Sequence, residues 1–536
     1  MGAAVRGYQT DQLQRSRQPC ANPDLLAALS APSTYPGRPA VTLHETHASW
    51  VFVAGSRTYK IKKPLALGFL DYSTLARRRA ACREEVRVNQ SLAPDIYLGA
   101  RAIVASGKRF RFAPDGVPDA VEYAVEMRTF DEAGTLAGLI AADRLRYEHL
   151  AAAARMLADF HRSAPLAPGW GPDRVLDIWR TNLEELGEIE HPASWRIDVL
   201  QAFAERFVEA HAAEIRRRAA LGLVRDGHGD LRCEHVLVTP ALAAVDRVEF
   251  DPHLRRVDVA CDLAFLTMDL EARGQRWAAQ ALVDTYRDAG LSPGGEQLRA
   301  FFAAHWALVR AKVGLIATPG GASEAGGDRP PGAAELWSLG ERLCWRARAP
   351  LAVLICGPAA SGKSSLAAEL ARRSELPIVS SDLVRKRLAG VGADERARPE
   401  HYLAPFTRET YERLAQNASL ALSRQYGVIV DATCRSRQDR APLLEQLRAS
   451  GARLLVIRCE VALERALARA RRRMGDPQRA SDATPQVVEE QFRSFEELDE
   501  LPVASVLRVD TAQPLEDQLA ELALAVDACG EGWAAR

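Results

Sequence analysis

The sequence predicts two folds in series: an α+β first part and an α/β second part built on a parallel sheet. Three observations carry this expectation. Between Val41 and Arg128 the text alternates like strands around one amphipathic helix. From Thr318 to Ala334 it runs TPGGASEAGGDRPPGAA, rich in Gly, Pro and Ala and nearly free of large apolar side chains. Beyond that linker, short apolar strands alternate with helical segments, the pattern of a sheet covered by helices.

Residues 1–20 are polar and read as a flexible tail, without the apolar core of a signal peptide. Alternation then predicts strands at Val41–Leu43, Trp50–Ala54 and Tyr59–Lys62, a helix over Leu75–Leu92, and a strand pair near Arg101–Phe112 and Ala120–Arg128. Helical spacing dominates from Ala133, most clearly over Ala141–His161 and Trp195–Leu221. Strand-like pieces return at Val236–Thr239 and Leu242–Val248, and helices at Ala260–Ala289 and Gly295–Val313. The first domain is thus placed at 21–316, the linker at 317–345 and the second domain at 346–536. Second-domain strands are expected at Leu351–Cys356, Pro377–Ser380, Gly427–Asp431, Arg453–Cys459 and Val506–Val509.

Length and composition, 536 residues with 47% hydrophobic and 26% charged, suit a chain with sizeable buried cores and exclude a disordered or fibrous one. The 70 basic and 70 acidic residues cancel, so no overall field draws the chain to nucleic acid or an anionic membrane. Nine cysteines stand singly without a CxxC pair, against a zinc site or disulfide framework. With no apolar run of membrane-spanning length, the expected location is a bacterial-type cytoplasm. Only seven of the basic residues are lysines, so each lysine asks why arginine does not stand there.

Gly357-Pro358-Ala359-Ala360-Ser361-Gly362-Lys363-Ser364 fits G-x-x-x-x-G-K-[ST], between an apolar strand and a helix. The glycines let backbone N–H groups wrap phosphates, and the helix N-terminus adds a favourable dipole. Lys363 reaches the terminal phosphates and the Ser364 hydroxyl serves Mg²⁺. Gly357, Ser361, Gly362, Lys363, Ser364 and Ser365 are the candidate nucleotide residues. Asp382, after the next strand, is read either as the base for an acceptor hydroxyl or as a helix cap, and Arg385 as a holder of an anionic substrate group. Asp431 ends a strand where a carboxylate orients metal-bound water. Arg465 and Arg469 lie on an Arg-rich helix before the loop Gly475–Pro477, suited to neutralising a transferring phosphate.

Across roughly residues 350–530, GPAASGKSS, SSDLVRKRLAG, IVDATC and the Arg-rich segment leading to Ser481–Thr484 resemble the small P-loop kinases, gluconate-kinase-like, zeta-toxin-like and polynucleotide-kinase-like, that carry AAA-type ATP-binding domains. The resemblance implies ATP-dependent phosphorylation of a hydroxyl and leaves the acceptor open.

In the first part, Asp226–Val236 (DGHGDLRCEHV) resembles the catalytic loop of aminoglycoside phosphotransferases and protein kinases. The resemblance makes Asp230 the residue that orients or deprotonates the acceptor hydroxyl and puts His235 where an Asn normally holds Mg²⁺, although imidazole is the poorer ligand. It makes Asp246 the second metal carboxylate, with Glu249 as another candidate. Asp258 and Asp262 are read as structural. Tyr59-Lys60-Ile61-Lys62-Lys63-Pro64 resembles the strand with the ATP lysine, which by alignment is Lys62, with Lys60 on the same face. Glu85, in preference to Glu84, is the implied ion-pair partner, and Val121–Met127 the hinge strand. No G-x-G-x-x-G precedes Lys60. With residues 46–52 and 67–75, these segments resemble a bacterial two-domain arrangement covering about 20–530: a bilobal, aminoglycoside-phosphotransferase-like (protein-kinase-like) domain followed by a P-loop NTPase/kinase domain.

The implied function is a bifunctional phosphotransferase whose two domains use MgATP on a small-molecule hydroxyl. The alternative, opened by His235, is a regulatory ATPase whose degenerate first domain senses a ligand. A nucleic-acid-end kinase fits less well, because no aromatic–basic interleaving accompanies the zero net charge. Lysine scarcity agrees with the nucleotide sites: Lys62 and Lys363 stand where a single-point ammonium suits a phosphate better than a guanidinium fork.

Overall fold

The computed structural model describes residues 23–529 apart from 47, 68–69, 108, 193, 318–330, 394, 474–482 and 503–504. The expected tail, most of the expected linker and the loop Gly475–Pro477 lie outside the described residues. Chain contacts group into two compact units. One comprises 1–174, 213–294 and 320–332, the other 175–212, 295–319 and 333–536.

The first unit begins with α1 (Pro23–Leu29) and six antiparallel strands. These are β1 (Val41–Glu45), β2 (Ser49–Ala54), β3 (Arg57–Lys62), β4 (Tyr97–Ser106), β5 (Arg109–Pro114) and β6 (Ala120–Arg128), in the order β1-β2-β3-β6-β4-β5. The strand read over Arg101–Phe112 is a hairpin, turned at Gly107 with φ +62°. Helix α2 (Leu75–Asn89) is N-capped by Thr74 and buries Cys82, Glu85, Val86 and Val88. Then follow α3 (Leu136–Ala141) and α4 (Tyr147–Ser163); the helix expected from Ala141 begins at Tyr147, with Asp143 before it at φ +51°.

Next in the chain come α5 (Pro172–Gly187) and α6 (Ile197–Ala220), which lie mostly in the second unit, and then four short strands of the first: β7 (Val224–Asp226), β8 (Val236–Leu237), β9 (Ala243–Ala244) and β10 (Arg256–Asp258). The one-turn α7 (Pro252–Arg255) precedes β10. The helix expected over Ala260–Ala289 is two, α8 (Val259–Ala272) and α9 (Arg276–Asp288), broken at Gly274 with φ +76°. Helix α8 is buried over twelve consecutive residues, Val259 to Leu270, so its apolar text has no polar face to show a period.

The second unit holds the parallel sheet: β11 (Leu351–Cys356), β12 (Ile378–Ser380), β13 (Gly427–Asp431), β14 (Arg453–Glu460) and β15 (Val506–Asp510), in the order β12-β13-β11-β14-β15. Strand β11 is buried at every position because helices cover both faces. It also contains α10 (Glu296–Ala317) and α11 (Ala333–Ala347), the latter occupying much of the span read as linker. The small-residue bias of Gly332–Ala334 concealed a helix that buries Leu336, Trp337, Leu343 and Trp345. Gly340 lets α11 approach α10, since a Cβ there would sit 3.0 Å from Leu308. Trp337 stacks on Trp195, just before α6, centroids 4.2 Å apart, and Val199 of α6 joins Trp345 and the sheet in one core. Among the described residues no helix is long and apolar enough to cross a membrane.

Arg348, just after α11, is 3% exposed and makes a two-bond fork to Asp527, its plane covering Phe203 at 4.3 Å. Removing one partner strands the other charge in the core. Arg348→Ala and Asp527→Ala are each expected to cost about 3–5 kcal/mol in denaturant unfolding, whereas Arg348→Met with Asp527→Leu restores most of the loss.

Candidate functional site

Helices after the first strand of the sheet include α12 (Lys363–Ser374), α13 (Ser381–Leu388), α14 (Ala404–Arg424), α15 (Arg437–Ala449), α16 (Leu463–Arg473) and α17 (Pro485–Ser494), and the second-unit site is built from α12, α13, α16 and α17 around the C-terminal ends of the strands. Gly357 and Gly362 take φ +142° and +101°, and a Cβ at Gly357 would meet the Cys459 carbonyl at 2.8 Å. The loop between them turns back on itself, and Lys363 Nζ donates to the Pro358 carbonyl at 2.8 Å. Among the described residues, no acceptor is bonded to the backbone N–H of Ala360, Gly362, Lys363 or Ser364. Ser361 Oγ is buried without a partner. An anion with several oxygens satisfies such a set, so the donors present fit a polyphosphate.

Asp431 ends β13, buried, in register with Ile355 beside the loop. Ser364 and Ser365 are exposed in the first turn of α12. Arg469 donates to the Thr511 carbonyl at 2.7 Å and hydroxyl at 3.1 Å, and to the Ala360 carbonyl at 3.4 Å. Thr511 in turn donates to the Ser361 carbonyl at 2.5 Å. Arg465, one turn earlier, is exposed, so the structure brings only one of the two arginines to the loop. Asp382 stands in the first turn of α13, whose N-cap is Ser380. Arg385 is buried, donating to the His401 carbonyl at 2.6 Å and Thr407 at 3.2 Å, with Nε left unpaired. Sequence reading missed Thr511 and Gln491, whose Oε1 accepts the Ala359 N–H at 2.7 Å. Neither lies in a motif, and only the fold brings them to the loop.

In the first unit, Lys60 and Lys62 project from the same face of β3 into one cluster of charges. Lys62 Nζ lies 2.5 Å from Glu85 and contacts Glu249; Lys60 Nζ lies 2.9 Å from Glu85 and 2.8 Å from Asp246. Glu84, the alternative, pairs with Arg87 and Arg255 instead. Burial opposes both ammoniums, but Asp246 and Glu85 around Lys60, and Glu85 and Glu249 around Lys62, outweigh it and hold both lysines above their ordinary pKa. Burial likewise opposes the Asp246 carboxylate, yet Lys60 and His235 keep it below the usual range. Asp246 stands at φ +59°, a strained conformation for a non-glycine residue.

The HGD loop is held from beneath by Asp262, which accepts the N–H groups of His228 at 2.6 Å and Gly229 at 2.9 Å and pairs with His161 at 3.0 Å. A Cβ at Gly227 would sit 2.6 Å from that carboxylate. Asp258 caps α8 through the Ala260 N–H at 2.8 Å and pairs with Arg218 at 2.7 Å. Asp230 is covered by Arg232, with Nε at 2.9 Å from Oδ1 and Nη2 at 3.2 Å from Oδ2. Burial would raise its pKa, but His235 and Arg232 hold it lower. His235 Nδ1 lies 2.8 Å from the Asp230 carbonyl and Nε2 lies 4.0 Å from Asp246. Glu249 is turned to Lys62. Among the described residues no three His, Cys, Asp or Glu side chains gather as a metal site, so His235, Asp246 and Glu249 are not one ligand set here.

Residues 353–498 match the model of the AAA domain family. Uncharacterized proteins of Mycobacterium tuberculosis H37Rv and Mycobacterium bovis are each 29% identical over 453 residues, 81% of this chain and 87% of theirs. Among solved structures, a gluconokinase from Sinorhizobium meliloti is 22% identical over 33% of this chain and 92% of its own, with a TM-score of 0.24. A choline/ethanolamine kinase family protein from Mesorhizobium loti is 16% identical over 55% of this chain and 86% of its own, with a TM-score of 0.34.

His228 is fully buried and neutral: Nε2 meets the Val245 carbonyl at 2.9 Å, while Nδ1 accepts the Asp230 N–H at 3.3 Å. Burial lowers its pKa from 6.5 to about 4. The unfolded chain therefore binds more protons between these values, so stability rises with pH there and is lost as pH falls from 6.5 towards 4. First-unit unfolding is expected to weaken by up to ~3 kcal/mol across that window, and His228→Gln to flatten the slope in thermal melts read at several pH values.

Proposed function

We propose that the chain is an ATP-dependent phosphotransferase whose P-loop unit transfers phosphate to a small-molecule hydroxyl. The observation that carries this reading is the loop 357–364, with four backbone N–H groups lacking an acceptor around Lys363. Those donors and the Lys363 ammonium bind the phosphates of ATP, and Arg469 supplies a second positive charge over the same loop. Asp382 accepts the acceptor hydroxyl's proton, and the unpaired Nε of the buried Arg385 binds an anionic group of the acceptor. Ser364 and Asp431 are the residues that would hold Mg²⁺, which when bound neutralises phosphate charge.

The first unit is read as a second, protein-kinase-like site, with Lys62 and Glu85 as its phosphate-binding pair and Asp230 as the acceptor's base. Its carboxylates do not fit a magnesium site as they stand, since Lys60 and Lys62 already engage Asp246 and Glu249. The regulatory reading gains one observation: Arg232 forks onto both Asp230 oxygens, which lowers that carboxylate's strength as a base for an acceptor hydroxyl.

Transfer of label from ATP into a metabolite extract tests both readings. Lys363→Ala is expected to cut P-loop-dependent labelling by ~10²-fold or more. If both units transfer phosphate, Asp230→Asn abolishes labelling of a different acceptor. If every acceptor survives Asp230→Asn and vanishes with Lys363→Ala, the first unit is regulatory. Labelling that persists in both variants refutes the phosphotransferase reading.

A further inference from the structure

Two helices flank the segment 474–482, and both reach back to the phosphate loop. Helix α16 does so through Arg469. Helix α17 does so through Gln491, whose side-chain carbonyl accepts the Ala359 N–H at 2.7 Å. The contact has a built foundation. Ala359 packs with Ala466 and Ala470 of α16 and Val488 of α17 in one small buried cluster, with Ala360, Leu467 and Phe492 against it. Helix α17 itself is fixed by Thr484, whose hydroxyl caps it by accepting the Val487 N–H. Val488 and Phe492, which flank Gln491 on α17, thus anchor its stretch of helix against the loop.

The orientation of its amide follows from the bond. A backbone N–H needs an acceptor, so the oxygen of Gln491 faces Ala359 and the NH₂ group is left as a donor at the cradle. No acceptor for Nε2 occurs among the described residues. Ala359 is two residues after Gly357, and the carbonyl of the same peptide unit, that of Pro358, accepts from the ammonium of Lys363, the side chain that reaches the terminal phosphates, at 2.8 Å. Of the loop's N–H groups, Ala359's is taken, whereas those of Ala360, Gly362, Lys363 and Ser364 await an acceptor. A neutral amide suits this position: its carbonyl satisfies the loop while its NH₂ meets an anion. A carboxylate would accept the same N–H but repel the phosphate.

We propose that Gln491 is a positioning residue that reads the terminal phosphate of the nucleotide, donating through Nε2 to a γ-phosphate oxygen while its Oε1 holds the Ala359 N–H of the cradle. The inference rests on the nucleotide reading of the P-loop. It predicts discrimination between a nucleoside triphosphate and a diphosphate, which a residue that merely braced the loop would not give.

The test compares binding of ADP and a non-hydrolysable ATP analogue to the full-length chain and to Gln491→Glu, Gln491→Met and Lys363→Ala variants, scoring the component that Lys363→Ala removes. Both Gln491 variants are expected to lose about tenfold or more in affinity for the ATP analogue, as befits a hydrogen bond to a charged group, with ADP affinity changed less than twofold. Gln491→Glu is expected to be at least as weak as Gln491→Met. Equal losses for both nucleotides, full retention in Gln491→Glu, or no change in either variant would overturn the proposal. If Lys363→Ala leaves both affinities untouched, the nucleotide reading of the cradle falls instead, and the two failures are thereby distinguished.

Discussion

Backbone N–H groups that find no acceptor are the constraint around which the second unit is arranged. A helix always begins with donors that its own carbonyls cannot reach. Here the chain concentrates them: β11 ends, the loop folds back through two left-handed glycines, and α12 starts on Lys363. Each neighbour serves that geometry. The Cys459 carbonyl leaves no room for a Cβ at Gly357, and Thr511 closes against Gly362. Thr511 also relays Arg469 to the loop. The loop leaves directly from β11, whose side chains are all buried, so its first residue is anchored in the core.

The first unit solves the opposite problem. Its ions are already paired, two lysines against Glu85, Asp246 and Glu249, with Lys62 and Glu85 the buried pair. Removing one member of that buried pair costs more than the net worth of the pair, because it strands the other charge away from water. Arg232 likewise forks onto Asp230. The two units thus present contrasting sites, one with unmet donors and one with charges met internally.

How much of this was legible in the sequence follows from the range of the interactions. The loop at 357–364 was readable because its function is written in eight consecutive residues and in the strand and helix that flank them. Lys62 and Glu85 could be aligned because a strand followed by a helix leaves few spacings. Arg232 was visible in the motif, but its fork on Asp230 was not, since a side chain's choice among partners is decided by packing. Gln491 and Thr511 are distant from the loop in sequence, and no pattern marks them. Helix α11 was mistaken for linker because alanine and glycine satisfy both descriptions, and the residues that decide it, Trp337 and Trp345, gain their meaning only from Trp195 and the sheet. Gly274 breaks a helix at a place where the apolar spacing continues.

The second unit gathers its residues from three separate stretches of chain, and that has a consequence for how the protein is made. Residues 175–212 leave the ribosome well before 351–510, the span that carries the sheet they help to cover. At roughly 5–20 residues per second, the interval is on the order of fifteen seconds to a minute. Throughout it Val199 has no sheet to pack against and Trp195 no Trp337 to stack on. The nascent chain must spend that time either folding these helices among themselves or in the keeping of a chaperone, and the unit closes only when its last strand emerges.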